Sequence, residues 1–149
     1  MNYKLMEELK QVLKAEVNAY EELVSLLQKE REALITFSPD EIEALSKEKD
    51  MVIMKIKLFD EERIKLLSKI SLTLSIDETI TLSKLVEITK DEEFRNLGFK
   101  LISLIQSFAE LNEFNKILIE KSSRHIKSFL CFLENCGVTA VNNRKIVKA

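Results

Sequence analysis

Few residues of this chain are equipped for chemistry. There is one histidine, His125. A di-iron site in a helical bundle needs Glu-x-x-His pairs from two helices, and a single histidine cannot supply them. A phosphotransfer histidine would be followed by a small residue, an apolar residue, Lys and Gly. His125 is followed instead by Ile126, Lys127 and Ser128. The lysine comes one step early and the glycine is missing, so a solvent-exposed rim histidine is the better reading. A histidine phosphotransfer domain is kept as an alternative that fits poorly. Gly98 and Gly137 stand alone, so no glycine-rich loop can cradle a phosphate. Cys131 and Cys136 lie five residues apart, on different faces of one helix, and read as reduced, cytosolic, small core residues. The expectation is a protein that is not an enzyme, with no cofactor, no metal and no small-molecule substrate.

Four charged residues stand where the apolar pattern asks for core. They are Glu16 and Glu30 on one helical segment and Lys49 and Arg63 on the next. Each pair is two heptads apart. In an antiparallel hairpin, facing residues have a constant index sum. Glu16 with Arg63 and Glu30 with Lys49 have the same sum, and the turn at 38–40 lies at half of it. Two acids should therefore face two bases, as a device that selects one register among several apolar alternatives. Desolvation offsets much of the attraction in such pairs, so their stabilising effect is expected to be modest.

Two further polar residues, Asn112 and Asn115, fall on or beside the apolar stripe of the last helix. A buried Asn must find hydrogen-bond partners or it destabilises the fold. Either the two fix helix register, as one buried Asn does in coiled coils, or they organise a partner-binding surface.

The elements that position these residues are long helices. Two glycines and one proline in 149 residues are far below the usual joint share of about 12%. Such a chain can make few tight turns. The first helix is expected over 2–36, with a seam from Leu5 through Glu16 and Glu30 to Ala33. A second apolar row beside it (Leu13, Val17, Tyr20, Val24, Leu27) makes a stripe wide enough to touch two other helices. The second helix is expected over 39–70. Ser38, Pro39 and Glu41 form a capping box with proline at the first helical position, and Phe37 with Ile42 is placed to form a hydrophobic staple. Ser71 to Ser75 is β-branched and hydroxyl-rich and reads as a connector. A short helix is expected over 77–90, with Ser75 and Glu78 as its capping box. Asp91 is a cap for the last helix, over 92–135. Cys136 then caps that helix, Gly137 takes a left-handed conformation, and Val138 meets Leu133.

The resulting fold class is all-α: an elongated antiparallel bundle of three long helices plus one short connecting helix. The domain spans 1–136, followed by a short basic tail, 137–149. At 1.5 Å per residue the first two helices are roughly 50 Å long and the last roughly 65 Å. The last helix must bend or overhang. An overhang would expose Ile126, Phe129, Leu130, Phe132 and Leu133, a patch that a soluble protein exposes for a partner.

Net charge is −2, which gives no general electrostatic attraction to nucleic acid or an anionic membrane. The N-terminal residues lead straight into a charged amphipathic helix, with no signal peptide. No apolar run approaches the roughly 18 residues of a membrane span.

In order and spacing, Glu16, Glu30, Lys49, Arg63, Asn112, Asn115, Leu118 and Ile119 resemble the FlgN-type flagellar export chaperones, over about Leu5 to Cys136. The resemblance implies a cytoplasmic, non-enzymatic chaperone of flagellar type III secretion. It would bind the amphipathic C-terminal segment of hook-associated proteins with its own C-terminal region and deliver them to the export apparatus. Mapped onto this chain, the partner-binding candidates are Asn112, Asn115, Leu118, Ile119, Ile126, Phe129, Leu130 and Leu133. Relatives commonly carry a tyrosine and a glycine just after the last helix. Gly137 to Ala149 contains no tyrosine, so that residue's role does not transfer. The competing reading from the residues alone is a structural bundle that self-associates, as a homodimer, through the same stripe.

Overall fold

The computed structural model describes residues 3–137. Four helices follow in order: α1 (Tyr3–Thr36), α2 (Pro39–Thr73), α3 (Leu82–Thr89) and α4 (Glu92–Asn135). No strand occurs among the described residues. The expected helical start at Asn2, the Val138–Leu133 contact and the tail from Val138 onward lie outside the described residues.

α1 is the central element. It packs along α2 on one side and along α4 on the other, which is why its apolar stripe is two rows wide. Each long helix runs opposite to the one before it, so α4 returns parallel to α1. Contacts between α1 and α4 climb together along both chains. Lys10 meets Asp91, Tyr20 meets Phe108 edge-on at 6.3 Å between ring centroids, and Leu27 meets Asn115.

The core divides in two. At the base, the start of α1 and the end of α2 enclose Leu9, Leu13, Leu66 and Ile70 together with Ile80, Leu85, Phe94 and Leu101 from the connector, α3 and α4. Higher up, small and medium side chains of the hairpin (Ala19, Leu23, Ala33, Leu45, Val52 and Ile56) pack together. Phe94, Leu9, Leu13 and Leu85 are fully buried, and a side chain of this size contributes roughly 1.5–3 kcal/mol when removed from water. The base therefore anchors the molecule.

Three expectations about local structure are corrected. First, α2 runs through Ser71 to Thr73 instead of ending at Ile70. The hydroxyls that suggested a connector donate back along the helix, Ser71 Oγ to the Leu67 carbonyl at 2.9 Å and Thr73 Oγ1 to that of Ile70 at 2.7 Å. This back-bonding is how Ser and Thr are accommodated inside a helix. Second, α3 begins at Leu82 and not at 77. Ser75 is left-handed (φ 57°) and ends α2, with the Ile76 amide donating to the Ser71 carbonyl at 2.9 Å. Ser71 Oγ also accepts from the Ile80 amide at 2.7 Å, which folds the connector back onto the end of α2, and Thr81 then caps α3 by accepting from the Lys84 amide. Third, Ser38 makes no side-chain cap bond. Its hydroxyl lies 3.1 Å from that of Thr36, and Pro39 supplies the helix start.

Asp91 caps α4 as expected, accepting from the amides of Glu93 and Phe94 at 2.9 and 3.3 Å. Lys10 reaches Asp91 at 2.8 Å and Glu93 at 3.2 Å. Its ammonium holds the Asp91 carboxyl below the usual range. The foot of α4 is thereby clamped to α1. At the other end, Gly137 takes the left-handed conformation (φ 84°), where an L side chain would be strained.

Candidate functional site

Both acid–base pairs of the hairpin are present, in different surroundings. Lys49 Nζ lies 2.8 Å from Glu30 Oε2. The other oxygen of Glu30 accepts from Asn115 Nδ2 at 3.0 Å, and the same Asn115 amide donates to the Leu27 carbonyl at 2.9 Å. Three helices thus meet in one polar node. Glu30 is 3% exposed and Asn115 1%, so little water competes for these bonds.

The lower pair is looser. Arg63 Nη1 lies 3.4 Å from Glu16 Oε2, while Nη2 is held at 2.8 Å by Asp60 on its own helix. Glu16 is fully buried, and its Oε1 has no hydrogen-bond partner. Burial first, and then the nearby Asp60 carboxylate, push the Glu16 carboxyl up to about 7 against the pull of Arg63. Burial also raises the Tyr20 hydroxyl.

The two asparagines of the last helix part company. Asn115 is 1% exposed, its Nδ2 donating to Glu30 and to the Leu27 carbonyl of α1 and its Oδ1 without a hydrogen-bond partner. Asn112 is exposed. Just beyond Asn115, Leu118 is half-buried and Ile119 is 47% exposed.

Past the node, burial along α4 fades. The same stripe that buries Phe94 and Leu101 continues as Ile126 and Phe129, now 43% and 56% exposed. Phe132 is 61% exposed, and Leu130 and Leu133 are half-buried. The expectation that Cys131 and Cys136 are core residues is overturned here, since both are exposed. The α1–α2 turn stands level with this part of α4: Phe37 lines a groove together with Lys121, Ser122, His125, Ile126, Phe129 and Leu130. The five residues from Cys131 to Asn135 run roughly 7 Å farther. The volume of this groove is about 780 Å³.

Phe37 is the residue that sequence reasoning misplaced. It was expected to staple the start of α2. Ile42 does pack on the upper core, but Phe37 is 59% exposed and forms a wall of the groove on α4. Its backbone is left-handed, with φ 54°. The Ser38 amide donates to the Ala33 carbonyl at 3.0 Å, the bond that closes a helix when the residue between takes this conformation. Glycine is the usual occupant there. A bulky side chain in that region costs on the order of 1–3 kcal/mol. An aromatic residue at a glycine position was the available signal.

A second apolar groove, of about 370 Å³, lies at the base among Leu82, Val86, Phe99, Ile102 and Ile105, rimmed by Arg63 and Arg95. Both arginines are engaged, Arg63 with Glu16 and Asp60, Arg95 with Glu92 at 3.7 Å and over the Phe99 ring. No helix among the described residues is long and apolar enough to cross a membrane.

A family model described as FlgN protein matches residues 1–138. No curated protein and no solved structure matches the chain. The match covers more than half of the sequence, and the chain belongs to the FlgN family, whose general role is that of flagellar export chaperones.

Proposed function

We propose that this FlgN-family chain acts in the cytoplasm as a non-enzymatic carrier of hook-associated proteins. It binds their amphipathic C-terminal segment on the distal part of α4, keeps that segment from assembling early, and hands the client to the flagellar export apparatus. One observation carries the reading. The apolar stripe of α4 continues past Asn115 without a covering element, leaving Ile126, Phe129 and Phe132 exposed. An amphipathic helix laid into such a groove is a recurrent mode of peptide recognition. It would bury the client surface that drives assembly and the chaperone surface that otherwise meets water.

Titration calorimetry of the full chain with the C-terminal segment of a hook-associated protein tests the proposal. Binding is expected, and Phe129→Asp or Leu133→Asp should weaken it more than tenfold. No heat of binding, or no effect of either substitution, would sink the idea. The same stripe also supports self-association. Sedimentation separates the two: a tight dimer that Phe129→Asp dissociates and that excludes the client segment favours a structural module.

A further inference from the structure

We infer that the distal groove selects an amphipathic helix with acidic flanks, and that Phe37, on the α1–α2 turn, is one of its walls. This rests on the distal part of α4 being the client surface.

The first argument is charge. The protein is net acidic, yet from Lys121 to Gly137 the described residues carry Lys121, Arg124 and Lys127 against one acid, Glu134. Among the described residues, Lys121, Arg124 and Lys127 enter no ion pair, whereas Lys100 and Arg95, nearer the foot of α4, both do. Lys121 itself lines the groove, and no acidic side chain does. A partner bearing carboxylates beside its apolar stripe would meet this rim with complementary sign, which favours encounter and fixes register. A second copy of α4 would bring cations onto cations. The base groove offers no such contrast, because its arginines already have acidic partners.

The second argument is shape. A basic amphipathic helix can also lie on an anionic lipid surface, but that requires a convex apolar face. Here the turn raises Phe37 beside Ile126 and Phe129, so the apolar surface is concave. The strained backbone of Phe37 (φ 54°) is a cost to the fold that glycine would remove. Keeping an aromatic ring there makes sense if the ring is needed in the groove.

The test uses the full chain and two labelled 18-residue designed peptides that share one leucine stripe, flanked by Glu in one and by Lys in the other. By fluorescence anisotropy, the Glu-flanked peptide should bind at least tenfold more tightly, with the gap shrinking as salt screens it. The double change Lys121→Glu with Lys127→Glu should abolish or reverse that preference. Phe37→Gly should weaken the Glu-flanked peptide about tenfold while leaving the melting temperature unchanged or raised. Equal binding of the two peptides, or no binding of either, overturns the inference. So does undiminished binding by Phe37→Gly, or capture by phosphatidylglycerol vesicles that the Glu-flanked peptide cannot displace. A hook-associated segment that binds in a Phe129-dependent way, yet ignores Phe37→Gly and the charge reversal, removes this inference and leaves the client reading standing. The converse, tight binding of the Glu-flanked peptide and none of the hook-associated segment, keeps the groove chemistry and removes that client.

Discussion

Glu16 and Glu30 are the same residue, on the same face of the same helix, each set against a base on α2, and they end in opposite states. Glu30 has both oxygens satisfied, by Lys49 and by Asn115. Glu16 has one distant bond to an arginine already held by Asp60, and one oxygen with nothing. The hairpin treats them alike; α4 does not. At the upper level α4 contributes an amide, and at the lower level it contributes none. A buried acid with two donors has its desolvation offset by hydrogen bonds. One that lacks a second donor is disfavoured in its charged form, and burial pushes the Glu16 carboxyl up to about 7.

The largest expected effect tests the satisfied acid. Lys49→Met leaves the buried Glu30 carboxylate without its base and with only an amide for company, and should cost roughly 3 kcal/mol in denaturant unfolding. Arg63→Met should cost clearly less at about pH 6, where Glu16 already carries a proton, and the difference should narrow as pH rises. Equal costs for the two at pH 6 would mean that the contrast between the acids is false.

Asn115→Ala comes next. It strips Glu30 of its second donor and opens a hole between α1 and α4, at a cost of about 2–3 kcal/mol. Hydrogen exchange should quicken along α4 above its clamped foot, more than along α2.

The loose acid makes a prediction about pH. The Glu16 carboxyl is raised from 4.5 to about 7 in the folded chain. Its contribution to stability is therefore complete below about 4.5 and is lost as pH rises through 7. Between about pH 5.5 and 8.5 the loss should be on the order of 2 kcal/mol. Glu16→Gln should flatten that part of the profile, and a slope that persists in the variant would assign it to another group.

The smallest effect concerns the turn. A side-chain cap would make Ser38→Ala cost on the order of 1 kcal/mol. Without a cap bond at Ser38, the change should stay within about 0.5 kcal/mol, as for surface substitutions generally. A full cap-sized loss in thermal melts would reinstate the capping box.

Much of this architecture was legible because helices are local objects. Apolar spacing, Pro39, Asp91 and Gly137 each act within a few residues, and they placed three long helices and most of their ends. The misses were local competitions that composition cannot decide. Ser71 and Thr73 could end a helix or bond back into it, and the Leu67 and Ile70 carbonyls took their hydroxyls. Of the candidate site, helix lengths left a bend or an overhang of α4 open, and the structure leaves Ile126, Phe129 and Phe132 exposed but Leu130 and Leu133 half-buried. The role of Phe37 did not follow from helix lengths, because it depends on how high α4 stands beside the turn.

By itself, then, the sequence determined the hairpin and its register, since an index sum shared by two acid–base pairs is a property of one continuous chain folding back on itself. Only the tertiary structure decided which acid is satisfied, which asparagine is buried, and where α4 runs free. Those outcomes depend on the height at which a helix some 85 residues away docks, and that height is set by the clamp of Lys10 on Asp91 and by the bond of Asn115 to α1. No pattern within a single helix encodes such a distance.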